Sequence, residues 1–99
     1  MLSAAENQLL GAFKQALSGL FGDRLVGAAL FGSRARGEGR DDSDLDVLVH
    51  VRDVTPGERT AILDLAHDLS LEHDLVLSPL VLREGWAPRS EILRDAVPL

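Results

Sequence analysis

The stretch that decides the fold runs Leu25-Val26-Gly27-Ala28-Ala29-Leu30-Phe31, then Gly32-Ser33-Arg34-Ala35-Arg36-Gly37-Glu38-Gly39-Arg40-Asp41-Asp42-Ser43, then Asp44-Leu45-Asp46-Val47-Leu48-Val49-His50-Val51. Two apolar runs of strand length flank a polar loop rich in glycine and arginine. Leu25 to Phe31 is continuous, the pattern of a buried strand. Leu45 to Val51 alternates. Leu45, Val47, Val49 and Val51 share one face and are all apolar, whereas Asp44, Asp46, Leu48 and His50 share the other. The first face belongs to a core. The second carries two carboxylates at its N-terminal end.

Upstream, Leu9, Leu10, Phe13, Leu17, Leu20 and Phe21 recur at helical spacing and predict an amphipathic helix over residues 4–21. Ser3 supplies the N-cap, Glu6 completes a capping box, and Gly22 with Asp23 stops the helix. Downstream, Thr55-Pro56-Gly57-Glu58 opens a second helix with a cap, a first-position proline and another capping box. Ile62, Leu65 and Leu69, with Ala66 beside them, give it a buried stripe as far as about His73. Asp74 to Leu82 reads as a third strand, and Pro79 within it demands an edge position or a bulge because it cannot donate to a ladder. Gly85-Trp86-Ala87-Pro88 is a turn, and Ser90 caps a short helix ending near Ala96. The order predicts an α/β fold of the α+β type, a small mixed sheet of about three to four strands packed against helices.

The 99 residues suggest one domain spanning the whole chain, 1–99, and large enough to bury a core without staples. There is no cysteine, which excludes disulfides, cysteine zinc sites and thiol catalysis, and which suits a reducing, cytoplasmic setting. A net charge of −6 argues against strong duplex nucleic-acid binding, and only 4% aromatic residues argue against base-stacking platforms. No apolar run approaches a membrane span, and Met1-Leu2-Ser3-Ala4-Ala5-Glu6 lacks a secretory pattern.

Asp44 and Asp46 lie side by side on one strand face. Adjacent carboxylates repel, and a divalent cation reverses that penalty. Mg²⁺ suits the pair, because it prefers oxygen and is commonly held by one or two carboxylates plus substrate phosphates. Two ions about 3.5–4 Å apart would clamp both oxygens of an in-line displacement. Gly32-Ser33 stands where the first strand ends. There glycine lets a phosphate approach the backbone amides, the Ser33 hydroxyl adds a donor, and Arg34, Arg36 and Arg40 add positive charge. An anion cradle followed by a metal site meets both halves of the demand of an Mg-nucleoside triphosphate.

At this point the chain resembles a known family. Gly32-Ser33, Gly37 and Ser43-Asp44-Leu45-Asp46 reproduce the Gly-Ser loop and Asp-x-Asp signature of the polymerase-β nucleotidyltransferase superfamily, and residues 32–49 look like its minimal members, the MNT proteins. The resemblance implies that Gly32 and Ser33 hold the nucleotide's phosphates, that Arg36 lies near them, that Gly37 and Ser43 shape the loop, and that Asp44 and Asp46 bind Mg²⁺. It also implies a third carboxylate on the next strand that helps activate the attacking hydroxyl. Asp74 is the candidate, and Val76 and Ser78 are the other positions on that strand to which the pattern could map.

The expected activity is therefore transfer of a nucleoside monophosphate, AMP first among them, from an NTP to a hydroxyl acceptor. The resemblance further implies a partner, either a small helical HEPN-type protein in a toxin–antitoxin pair or a second copy of the chain. Two competing functions remain open on the residues alone. One is a catalytically silent module that neutralises a partner by contact. The other is a metal-dependent phosphoesterase. Blander roles also compete: a solvated strand end for Asp44 and Asp46, a helix-ending turn for Asp74, surface ion pairs for Arg34 and Arg40, and structural positions for His50 and Trp86.

Overall fold

The computed structural model describes residues 2–32, 44–82 and 96–99. Ser33, Arg36, Gly37 and Ser43, the turn at 85–88 and the body of the expected terminal helix lie outside the described residues. The first helix, α1 (Ala4–Phe21), occupies the expected span. The Ser3 hydroxyl accepts from the Glu6 amide, and the Glu6 carboxylate accepts from the Ser3 amide at 2.8 Å. Gly22 ends the helix with φ of 53° and leads into a short 3-10 turn, Gly22–Arg24.

Strands β1 (Leu25–Phe31) and β2 (Leu45–Val51) also fall where the apolar runs predict. They pair antiparallel, with Phe31 opposite Asp46 and Leu30 opposite Val47. Helix α2 (Pro56–His73) begins at the Thr55 and Glu58 capping box. It returns the chain to β3 (Leu77–Val81), which runs parallel beside β2. A last two-residue strand, β4 (Val97–Pro98), pairs antiparallel with β1. The sheet order is β3-β2-β1-β4, a four-stranded mixed sheet.

The core lies between the helices and one sheet face. Leu9, Leu10, Phe13, Leu17 and Phe21 of α1 and Ile62 and Ala66 of α2 pack with Leu30, Leu45, Val47, Val49, Val51, Leu77 and Val81. All four alternate apolar residues of β2 are buried, as their shared face requires. Leu65 and Leu69 lean on the core only partly buried. Leu20, expected in the α1 stripe, is 57% exposed and lies outside the cluster. No helix among the described residues is long and apolar enough to cross a membrane.

Two expectations are corrected. The third strand starts at Leu77, three residues after Asp74, because α2 continues to His73 and Asp74 takes its left-handed C-cap position with φ of 53°. A residue in that conformation ends a helix and cannot also begin a ladder. Near the far end, Ala96 is not helical, and Val97–Pro98 forms a strand that local pattern gave no sign of. Two residues carry too little alternation to signal a strand, so only pairing with β1 defines it. Pro79 does sit on an edge strand, consistent with its missing donor.

One polar fastening was not foreseen. The Arg24 guanidinium donates to both Glu58 carboxylate oxygens at 2.8 Å, to the Arg52 carbonyl and to the Asp53 carbonyl at 3.0 Å. It also lies over the Phe21 ring, 5.9 Å from its centroid. One side chain thereby ties the α1–β1 turn to the β2–α2 turn.

Candidate functional site

Asp46 projects from the sheet face that α1 and α2 leave uncovered. Its cross-strand neighbours are Phe31 on β1 and Ser78 on β3. Asp44 stands just before β2 and is exposed. The Leu45 amide donates to the Val76 carbonyl at 2.9 Å, which fixes the start of β2 against the approach to β3. The short hop between Asp44 and Asp46 is thus held from both sides by backbone pairing.

Gly32 is the residue that joins the loop to the carboxylates. It follows β1 with φ of 78°, a conformation that costs other L-residues about 1–2 kcal/mol. A Cβ built there would stand 2.7 Å from Asp46 Oδ2. Glycine is therefore required twice, for the backbone turn and for the space the Asp46 carboxylate occupies. The Gly-Ser motif and the Asp-x-Asp motif, separate in sequence, meet at this contact.

Electrostatics at the pair follow from its placement. Burial raises the Asp46 carboxyl above the ordinary carboxylate range, and the charge of Asp44 raises it further. This is the response of a carboxylate pair that a cation would relieve. The Ser78 hydroxyl donates to Asp44 Oδ2 at 3.4 Å. Oxygen donors at the start of β2 and on β3, two of them ionisable, are the hard ligand set that Mg²⁺ takes, and the residues present fit such an ion.

The structure brings together Gly32, Asp44 and Asp46, and adds Ser78. It does not bring Asp74 to them. Asp74 caps α2, where its amide donates to the Ser70 carbonyl, and its neighbourhood is His67, Ser70, Leu71 and Leu75. Among the described residues no three of His, Cys, Asp and Glu converge to hold a metal. The position in register with Asp46 is Ser78, not a carboxylate. Parallel pairing between β2 and β3 sets Ser78 there, while Asp74 precedes the ladder as the C-cap of α2. Ser33, Arg36, Gly37 and Ser43 lie outside the described residues. His50 is exposed on the same face as Asp46, further along β2.

Comparison with known proteins bears on the family and the fold. A family model described as a nucleotidyltransferase domain matches residues 9–97. A protein of Methanocaldococcus jannaschii named "Putative protein adenylyltransferase MJ0141" is 35% identical over 78 residues, which cover 78% of this chain and 79% of that protein. A solved structure described as "Structure of putative minimal nucleotidyltransferase" superposes with a TM-score of 0.63 at 32% identity, covering 94% of each chain. A chain from a toxin–antitoxin crystal structure, MntA-HpeT, superposes with a TM-score of 0.66 at 22% identity and covers all of this chain and 72% of its own, a likeness of fold.

Proposed function

Because the chain belongs to the nucleotidyltransferase domain family, we propose that it transfers AMP from Mg-ATP to a hydroxyl on a partner protein. The observation that carries this reading is the packing of Asp46 Oδ2 into the space of the missing Gly32 side chain. It sets the phosphate-loop glycine directly beside one member of a metal-type carboxylate pair.

In this reading Asp44 and Asp46 would hold Mg²⁺, one ion or two, beside the bound triphosphate. The metal supplies charge neutralisation at the α-phosphate and the leaving oxygens. Gly32 and Ser33 receive the phosphates, and Arg36 counters their charge, with Gly37 and Ser43 shaping the loop. The acceptor oxygen attacks the α-phosphorus, the bond to the β-phosphate bridging oxygen breaks, and pyrophosphate leaves while the hydroxyl proton passes to solvent water. Asp74 was the sequence's choice to take that proton. It caps α2, and among the described residues it forms no three-carboxylate group with Asp44 and Asp46.

The choice of AMP rests on the adenylyltransferase name of the relative from M. jannaschii, and the choice of a partner protein on the sequence resemblance to MNT proteins. That resemblance favours a small helical HEPN-type toxin as the acceptor, with this chain as its antitoxin. An ATP-dependent reaction of this kind belongs in the cytoplasm.

The test is direct. The protein, with its genomic neighbour, is incubated with α-labelled ATP and Mg²⁺, and label on protein is followed. Transfer should appear and should vanish with Asp44→Asn and Asp46→Asn. Equal labelling by wild type and both variants would overturn the proposal. A pair that binds tightly without labelling would instead favour neutralisation by contact.

A further inference from the structure

We propose that Ser78 is a positioning residue, whose hydroxyl orients the Asp44 carboxylate for a divalent cation at a place where the described residues offer no third carboxylate. This inference rests on the metal reading above.

The starting point is the parallel register of β2 and β3. Asp46 pairs with Ser78, so their side chains share the sheet face opposite the α1 and α2 core. Asp44 precedes the strand and is exposed, while Ser78 is half-buried. The two carboxylates are thus held by different neighbours. Asp46 places its Oδ2 where a side chain at Gly32 would begin. Asp44 has the Ser78 hydroxyl, which donates to its Oδ2 at 3.4 Å. Without that contact an exposed carboxylate samples several rotamers and loses that freedom on binding a cation. Hydrogen bonds from supporting residues orient metal-ligating carboxylates in this way.

The residue type at 78 also matters. A carboxylate there would stand opposite Asp46, and like charges directly across a strand pair destabilise the sheet. A hydroxyl orients Asp44 without adding that charge to the cation-free protein. It equally leaves β3 without a group able to accept the acceptor's proton as an ionised carboxylate would. The backbone that sets this arrangement is independently tied. The Ser70 hydroxyl donates to the Ala66 carbonyl at 2.7 Å and accepts from the Leu77 amide at 3.0 Å, so the end of α2 fixes where β3 begins.

The experiment is a Mn²⁺ titration of the full chain followed by electron paramagnetic resonance, with thermal midpoints in EDTA as the folding control. Loss of a supporting contact to a metal ligand costs about 10–100-fold in affinity. The long contact here puts Ser78→Ala at the lower end, about tenfold. Ser78→Thr, which keeps the hydroxyl, should bind nearly as wild type does. Ser78→Asp should bind Mn²⁺ more tightly and melt lower in EDTA, because it adds both a ligand and a like charge. Unchanged affinity in Ser78→Ala, or equal weakening in Ala and Thr variants, would overturn the inference while leaving the metal site standing. Wild type that binds no more Mn²⁺ than Asp46→Asn would overturn the metal reading, and this inference with it.

Discussion

Replacing Gly32 by alanine tests the contact on which the site depends. Two separable costs follow from the structure. With φ of 78°, an L-residue is disfavoured by about 1–2 kcal/mol. The new Cβ would also meet Asp46 Oδ2 at 2.7 Å, although the Asp46 Cγ at 3.6 Å and Cβ at 3.7 Å leave ordinary room. Only the carboxylate tip must therefore turn, an off-rotamer displacement worth roughly 0.5–1.5 kcal/mol. The sum, about 1.5–3.5 kcal/mol, corresponds to a fall in thermal midpoint of roughly 6–28 °C at about 4–8 °C per kcal/mol for a domain of this size. A double-mutant cycle with Asp46→Ala divides the two costs. In the Asp46→Ala background the backbone cost persists and the contact cost disappears, so Gly32→Ala should become cheaper by about 0.5–1.5 kcal/mol. Urea unfolding followed by circular dichroism at neutral pH in EDTA gives all four stabilities. A coupling energy of zero would refute the contact, and a Gly32→Ala midpoint equal to wild type would refute both terms.

Other expectations are independent of this one. The Asp46 carboxyl is raised by burial and by Asp44, so in the metal-free protein its ionisation opposes folding. The stability it grants is full below the ordinary carboxylate range and lost as pH rises through its folded value. Asp46→Asn should accordingly melt higher than wild type in EDTA at pH 7, with the difference shrinking towards pH 3.5. A lower midpoint at pH 7 would show the carboxylate to be structural. Glu58 has the opposite sign, since its hydrogen bonds from Arg24 and the Thr55 amide, with the Arg24 charge, lower it from 4.5 to about 2. Its contribution is present above about pH 4.5 and disappears as pH falls towards 2. Glu58→Gln should therefore lower the midpoint at pH 7 and match wild type near pH 2, a comparison made by calorimetry across that range. Phe13 is fully buried at 0% exposure, and Phe13→Ala should cost about 3–5 kcal/mol in urea unfolding. A loss under 1 kcal/mol would mean the α1–sheet core is not packed as described.

Local chemistry carried most of what the sequence alone could say. Both capping boxes, Ser3 with Glu6 and Thr55 with Glu58, bind residues three apart, and both helices start where those residues stand. The two faces of β2 follow from alternation within seven residues, and its four apolar positions are buried as that alternation demands. Asp44 and Asp46 share an environment because two residues along a strand is one pleat. None of this needs a distant partner. What only tertiary structure decided is which residues from separate elements meet. The sequence places Asp74 next to an apolar run and makes it look like a strand residue. Its backbone instead enters the left-handed region to end α2, and the parallel ladder then sets Ser78 beside Asp46. Register across a crossover is fixed by how a whole helix packs on the sheet, and a shift of one residue turns every side chain to the other face. The meeting of Gly32 with Asp46, the reach of Arg24 to Glu58 and the two-residue strand Val97–Pro98 depend on pairing across the fold in the same way. Each is an interaction between parts of the chain that local pattern describes correctly but one at a time.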